Sequence, residues 1–224
     1  MTPLETLFLD LKNIKVIDST IPNSQYTPLD LSVANLELNQ LNISNATEFE
    51  TYIEQLLTKN KASVAYGGYN EIRNLYKRST VFIDSNAEER NIHIGLDLWI
   101  KAGTSVLAAL DGNVHSFQNN NNLGDYGPTI ILKHQLEDHV FYTLYGHLEL
   151  ESISPLKVGD FFTKGQQLGT LGDASVNGDY APHLHFQIIK NIEDYYGDYP
   201  GVSNKNKLAY YLDNCPDPNL LLKI

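Results

Sequence analysis

Apolar and polar residues alternate strictly along two stretches of the chain, residues 92–98 and 183–188. Successive side chains of a β-strand point to opposite faces of the sheet, so each stretch predicts a strand with one apolar, buried face. Short β-branched runs separated by Gly, Asp and Asn continue through the second half of the chain and are typical of a mostly antiparallel β domain. The predicted strands are residues 79–84, 92–100, 105–110, 113–118, 128–134, 139–145, 166–171 and 183–190. Asp111-Gly112 predicts a two-residue hairpin turn between its flanking strands.

The first 65 residues show helical spacing instead of alternation. Thr2 and Glu5 form the capping signature of a short first helix. Thr47 and Glu50 repeat this signature before a second helix, which we expect to end near Asn60. Its apolar residues recur at helical spacing and form one stripe. The stripe consists of Phe49, Tyr52, Ile53, Leu56 and Leu57. We expect it to pack on the main domain.

Taken together, the elements predict an α+β protein in two parts. Residues 1–65 would form a partly helical N-terminal extension, and residues 66–224 a mostly antiparallel β domain. The chain has 224 residues, which is enough for one large domain with such an extension. The sequence leaves the oligomeric state open.

The charge balance narrows the range of partners. The chain has 16 Lys and Arg against 27 Asp and Glu, a formal net charge of −11. Proteins that bind nucleic acid neutralise phosphates with clustered basic residues, and this chain has no such cluster. No apolar run is long enough to span a bilayer. We therefore expect neither nucleic acid nor a membrane as a partner.

The N-terminus and the cysteine content bear on location. The first residues include an acid, have no basic lead and contain only a short apolar run, which is not the pattern of a signal peptide. Cys215 is the single cysteine, so no intrachain disulfide can form. These features predict a cytoplasmic protein.

The polar faces of the two alternating strands carry the candidate chemistry. His183 and His185 project from one face roughly 6–7 Å apart, so both rings can reach one point. His93 and Asp97 would lie about 13 Å apart on a fully extended strand, but Gly95 between them permits a bend that shortens this distance. For each pair taken alone, a solvated polar face is the favoured interpretation.

A third motif places His147 beside Gly146, where a predicted strand ends and a loop begins. Catalytic groups are often found at such positions, although ordinary surface histidines are found there too. The remaining histidines have no acidic or histidine partner at a telling spacing, and we assign them structural roles. They are His115, His134 and His139.

The order His-x-x-x-Asp, Tyr-Gly-His-Leu and His-x-His resembles the lysostaphin-type, or LytM-like, zinc metalloendopeptidases. The resemblance covers roughly residues 90–190 and includes further ordered motifs between the three. These are Gly103-Thr104-Ser105-Val106, Asp111-Gly112-Asn113-Val114, Val158-Gly159-Asp160 and Lys164-Gly165-Gln166. Ordered motifs are jointly far more specific than any one of them.

The family resemblance implies a role for each polar residue. His93, Asp97 and His185 would bind one Zn²⁺ per chain, in agreement with the three protein ligands usual for catalytic zinc. His147 and His183 would stay unliganded beside the attacking water and act as catalytic residues. The resemblance does not assign the proton transfer to one of them. A His₂Asp site could also hold other divalent ions of the first row.

Members of this family cut peptide cross-links of bacterial peptidoglycan, so the resemblance implies hydrolysis of peptide bonds. The acidic charge and the predicted location favour peptidoglycan-derived or other small peptides over intact wall as the substrate. The family usually has a Gly-, Ser- and Thr-rich segment before the last motif. Here residues 172–181 depart from that pattern, which affects the expected specificity more than the chemistry. The alternative is a non-catalytic or autoinhibited module that acts in binding or regulation, with a groove blocked by residues 1–65.

Overall fold

The computed structural model describes residues 1–79, 82 and 88–224. The strands are β1 (Tyr26–Pro28), β2 (Val64–Gly67), β3 (Glu71–Ile72), β4 (Ile92–His93), β5 (Leu96–Trp99), β6 (Ser105–Leu107), β7 (Gly112–Asn120), β8 (Gly127–Leu136), β9 (His139–Gly146), β10 (Phe161–Phe162), β11 (Gln167–Thr170), β12 (His183–Ile189) and β13 (Val202–Ser203). The α-helices are α1 (Pro3–Asp10), α2 (Ala46–Asn60), α3 (Leu208–Asn214) and α4 (Asn219–Leu222). None of the helices within the described ranges is both long and apolar enough to cross a bilayer.

The main sheet brings the three sequence motifs together. Its strand order is β1-β2-β5-β12-β9-β8-β7-β10, and all neighbours are antiparallel except β1 and β2. The central strand β12 pairs on one side with β5, where His185 faces Asp97. On its other side it pairs with β9, where His185 faces Gly146. The expected α+β class with a mostly antiparallel β domain is confirmed.

The alternation along β12 sorts its side chains as the sequence predicts. Leu184, Phe186 and Ile188 are completely buried in the largest hydrophobic cluster of the described residues. Burial of each such side chain contributes about 1.5–3 kcal/mol to stability. The opposite face of β12 therefore carries His183 and His185, and the strand is held rigidly from the apolar side.

The single strand predicted over residues 92–100 is wrong, because the chain changes sheets at Gly95. β4 belongs to a separate three-stranded sheet with β3 and β13, whereas β5 belongs to the main sheet. Between them the amide of Ile94 donates to the carbonyl of Gly201 over 2.9 Å. The bend that Gly95 permits is present, and it brings His93 close to Asp97.

The hairpin predicted at Asp111-Gly112 is also wrong. β6 pairs with β11, and β7 pairs with β8 and β10. The amide of Ala108 donates to the carbonyl of Gln166 over 2.9 Å, and Asp111 Oδ1 accepts from the amide of Lys164 over 2.7 Å. Asp111 therefore binds the backbone of a distant loop at Lys164 instead of closing a hairpin. Of the strand predicted over residues 79–84, positions 80, 81, 83 and 84 lie outside the described residues.

The N-terminal segment contributes both helices and strands. α1 has the predicted capping box between Thr2 and Glu5. α2 begins two residues earlier than predicted, because Asn45 rather than Thr47 is the N-cap and its Oδ1 accepts from the amide of Glu48 over 3.0 Å. β1 and β2 extend the main sheet beside β5. The division of the chain between residues 65 and 66, which falls inside β2, stays a prediction.

Candidate metal centre

Three side chains converge above the central strands. His93 Nε2 lies 3.3 Å from Asp97 Oδ1 and 2.9 Å from His185 Nδ1, and the distance between His185 Nδ1 and Asp97 Oδ1 is 3.1 Å. Four tetrahedral ligands at the usual zinc distances would lie about 3.3 Å from each other. All three residues are buried. Their geometry and donor types therefore fit a zinc ion.

Hydrogen bonds to the outer ring nitrogens set the tautomers of both histidines. His93 Nδ1–H donates to the carbonyl of Gly68 over 2.8 Å, and His185 Nε2–H donates to Gln187 Oε1 over 3.0 Å. In each ring the other nitrogen presents its lone pair to the centre. Such partners fix the orientation of metal ligands. Burial lowers the pKa of His93 to about 4, so this ring is in the neutral, ligand form.

The orientation of Gln187 is itself fixed from outside the centre. Its amide nitrogen donates to the carbonyl of Pro200 over 3.1 Å and to Cys215 Sγ over 3.2 Å. Its oxygen must then face His185. Gln187 was not predicted to have a role, although its position two residues after His185 on the same strand face was an available signal.

Arg73 holds the second oxygen of Asp97. Its Nη1 lies 2.6 Å from Asp97 Oδ2, and its Nε lies 2.6 Å from Glu71 Oε2. Burial alone would raise the pKa of the Asp97 carboxyl, but His93 and Arg73 hold this pKa well below its usual range. Asp97 therefore presents one ionised oxygen, Oδ1, to the centre. No motif marks Arg73 in the sequence, and its role is visible only in the structure.

The two remaining predicted residues, His147 and His183, lie beside the metal centre. Their ring centroids are 4.1 Å apart, and the centroid of His147 is 6.5 Å from that of His185. His147 Nδ1–H donates to the carbonyl of Asn177, and His183 Nδ1–H to that of Ala181, both over 2.8 Å. Both rings therefore keep a lone pair on Nε2.

The environment keeps both of these rings uncharged. Burial lowers the pKa of His183 to about 4. Burial, followed by the neighbouring His183 and His185, holds the pKa of His147 well below its ordinary value. Near neutral pH each ring is thus in the form that accepts a proton.

His147 has an unusual backbone conformation. Its φ angle is +64°, in the left-handed region that non-glycine residues rarely adopt. The conformation is held at both ends, because His147 N donates to the carbonyl of Tyr126 and the amide of Gly172 donates to His147 O. Strained residues of this kind cluster at functional sites. Here the turn directs the ring back over the sheet from the end of β9.

Asn177 organises the segment that departs from the family pattern. Its completely buried side chain donates to the carbonyls of Gly172 and Tyr180 and accepts from the amide of Tyr180. Its own carbonyl receives the hydrogen bond from His147. Residues 172–180 are therefore closed into a loop that orients a ring of the site.

All five predicted site residues line one cavity of about 210 Å³. Its walls are rich in aromatic side chains, and Arg90, Asp125 and Asp198 add charge. No residue of the segment 1–65 contributes to the lining. The three histidines assigned structural roles do not line it either, and His134 instead hydrogen-bonds to the Asp111 carbonyl and the Thr143 hydroxyl.

Comparison with known proteins yields a family match. Residues 91–196 match the model of peptidase family M23. All five predicted site residues fall within this region, whereas Arg73 lies outside it. A relative from Haemophilus influenzae, described as an uncharacterised metalloprotease, is 32% identical over 99 residues. The match covers 44% of this chain and 19% of the relative, so the chain spans about a fifth of that protein's length.

Two bacterial peptidases are among the solved structures to which this chain is similar. The catalytic domain of lysostaphin, an antimicrobial peptidase from Staphylococcus simulans, is 25% identical, with a TM-score of 0.38 over 65% of this chain and 87% of that chain. A zinc-containing peptidase from Vibrio cholerae is 26% identical, with a TM-score of 0.36 over 44% of this chain and 27% of that chain. The family resemblance noted in the sequence is confirmed by the family match.

Proposed function

Because residues 91–196 match the model of peptidase family M23, we propose that this protein is a zinc-dependent endopeptidase acting on peptidoglycan-derived or other small peptides. The observation that carries the proposal is the convergence of two imidazoles and one carboxylate oxygen within 3.3 Å of one another. Two further uncharged imidazoles face the same cavity. This combination of three ligands and two free bases suits hydrolysis better than a purely structural metal site, which is normally closed by four ligands.

The ligand roles follow from the lone pairs. His93 Nε2, Asp97 Oδ1 and His185 Nδ1 would hold one zinc ion. When bound, zinc polarises a carbonyl oxygen and lowers the pKa of water to about 7. Arg73 keeps Asp97 Oδ2 away from the centre, since that oxygen is already engaged.

His147 and His183 would carry the proton transfers. Either Nε2 can accept a proton from the attacking water, because both rings are uncharged near neutral pH. The ring that has gained the proton can then donate it to the leaving amine. The other ring would orient the water or stabilise the negative oxygen that develops on the substrate carbonyl.

The preference for small peptides over an intact wall rests on charge. The net charge of −11 disfavours tight adhesion to an anionic polymer such as an intact wall.

The alternative of a groove blocked by residues 1–65 is not favoured, because none of those residues lines the cavity. The complete ligand set likewise favours an enzyme over a non-catalytic module.

The test measures zinc content and cleavage on the same preparation. We expect about one zinc per chain and cleavage of a pentaglycine or muropeptide substrate. His147→Ala should lower kcat by about 10²- to 10⁴-fold with the zinc content unchanged. His139→Ala, outside the cavity, is the matched control. Cleavage by His147→Ala at the wild-type rate, or a wild-type protein that takes up no zinc, would overturn the proposal.

A further inference from the structure

Trp99 lies flat against one of the candidate catalytic rings. Its ring centroid is 3.9 Å from that of His183, and the two planes differ by 18°. The two residues are directly opposite each other where β5 pairs with β12. Trp99 is buried and lines the same cavity as the metal centre. One face of the His183 ring is therefore covered by the indole of Trp99 on the neighbouring strand.

The other side of Trp99 is held by the N-terminal segment. Phe49 of α2 contacts the indole edge-on, with centroids 5.1 Å apart and planes at 84°. Both side chains belong to a hydrophobic cluster that is otherwise formed almost entirely by residues 1–65. Its other buried members are Leu29, Leu31, Leu38, Ile53, Ala65 and Ala181. The apolar stripe of α2 thus packs against the residue that supports His183.

Stability alone does not account for a tryptophan at this position. The indole Nε1–H is buried and has no hydrogen-bond partner among the described residues, and leaving a buried donor unpaired is unfavourable. Phenylalanine would supply an apolar ring without that donor. On the same strand, Leu96 and Leu98 already fill the core face. Trp99 instead offers a wide flat surface on the face that carries Asp97.

We propose that Trp99 is a positioning residue for His183 and that α2 holds Trp99 in place. The inference rests on the proposed function and assigns residues 1–65 a role as a support beneath the site. The hydrogen bond from His183 Nδ1 to the carbonyl of Ala181 anchors one ring atom, and stacking fixes the plane of the ring. Together they aim Nε2 into the cavity. A small misplacement of a reacting group can lower a rate about 10²-fold.

The kinetic test compares Trp99→Leu, Trp99→Phe and Phe49→Leu in the zinc-loaded full chain. We expect Trp99→Leu to lower kcat roughly 10- to 100-fold with little change in KM and with zinc retained. Trp99→Phe keeps a narrower stacked ring and should lose less of kcat than Trp99→Leu does, and Phe49→Leu should fall between the wild type and Trp99→Leu. Phe8→Leu is the matched control, because Phe8 of α1 makes a similar edge contact with Phe141, remote from His183.

Three kinetic results would overturn the proposal: wild-type kcat in Trp99→Leu, an equal loss in Trp99→Phe, or an equal loss in Phe8→Leu and Phe49→Leu. A spectroscopic readout separates this proposal from the proposed function. Stacking should shift the His183 ring protons upfield in the NMR spectrum of the wild type, and the shift should vanish in Trp99→Leu. A wild-type protein that cleaves no peptide rejects the proposed function. Even in an inactive protein the NMR spectrum tests the positioning role. If the His183 ring protons keep their upfield shift in Trp99→Leu, the positioning role is rejected. If they lose that shift, the positioning role is supported.

Discussion

At the scale of single residues, Asp97 divides its two oxygens between two tasks. Oδ1 faces His93 and His185, and Oδ2 is paired with Arg73 over 2.6 Å. Arg73 and Asp97 each expose only 2% of the side chain. A buried carboxylate needs a cationic partner, so Arg73 stabilises the ionised ligand before any metal binds.

Arg73→Met should therefore destabilise the zinc-free protein. Removing one partner of a buried ion pair leaves an uncompensated charge and costs about 3–5 kcal/mol. Zinc should restore part of this loss, because the ion supplies positive charge to Asp97. The measurement is urea unfolding with and without zinc. Lys190→Met is the control, since its partner Asp213 is 80% exposed and such a pair contributes no more than about 1 kcal/mol. Equal stability losses in the two variants would contradict the assignment.

The sequence allowed prediction of the residues whose chemistry is carried by local motifs. His93, Asp97 and His185 stand at recognisable spacings, and the structure brings them together with His147 and His183. Arg73, Gln187 and Asn177 could not be assigned in the same way. Asp97, the partner of Arg73, is 24 residues away, and His147, which donates to Asn177, is 30 residues away, whereas Gln187 lies two residues from His185. Such contacts depend on strand pairing that a single sequence does not display.

At the scale of elements, the break between β4 and β5 is what assembles the centre. A continuous strand would hold His93 and Asp97 too far apart, whereas the change of sheet at Gly95 brings His93 Nε2 to 3.3 Å from Asp97 Oδ1. The position also needs glycine for space. A Cβ atom there would lie 2.3 Å from Cε1 and 2.5 Å from Nε2 of His185.

Gly95→Ala should displace the His185 ring and weaken zinc binding. We expect metal affinity to fall by at least 10-fold, comparable to the loss of a partner that orients a ligand, and cleavage to fall with it. Isothermal titration with zinc measures the first effect. Gly103→Ala is the control, because its Cβ would meet nothing within 4 Å although its φ is +78°. That variant should lose about 1–2 kcal/mol of stability and keep its zinc affinity. Unaltered zinc binding in Gly95→Ala would contradict the steric argument.

Element boundaries were harder to predict where tertiary contacts override local signals. The alternation of apolar residues located β12 well, because one face of that strand is fully buried. The Asp111-Gly112 turn failed as a hairpin signal because Asp111 is engaged by the distant Lys164 backbone. The turn residues are present, but contacts with other parts of the chain determine the strands with which β6 and β7 pair.

At the scale of the whole molecule, the candidate ligands belong to two different sheets. His93 comes from the three-stranded sheet, and Asp97 and His185 come from the main sheet. A bound ion would join the two sheets, so metal binding and folding should be coupled.

Zinc should accordingly raise the melting temperature of the protein. At free zinc 1,000-fold above Kd the stabilisation is about 4.1 kcal/mol, which corresponds to roughly 10 °C for a chain of this size. Differential scanning calorimetry with zinc and with a chelator measures the difference. His139→Ala should keep the increase and Asp97→Asn should lose it. An equal increase in Asp97→Asn would mean that zinc stabilises the fold from some other site.

β1 and β2 are strands of the main sheet, and this limits the ways in which the N-terminal residues could regulate the site. β2 covers the side of β5 that faces away from β12. If β1 and β2 were removed, β5 would become an edge strand with a row of unpaired backbone groups, which is a template for association with other chains. Release of residues 1–67 as a propeptide would therefore expose the strand that carries Asp97.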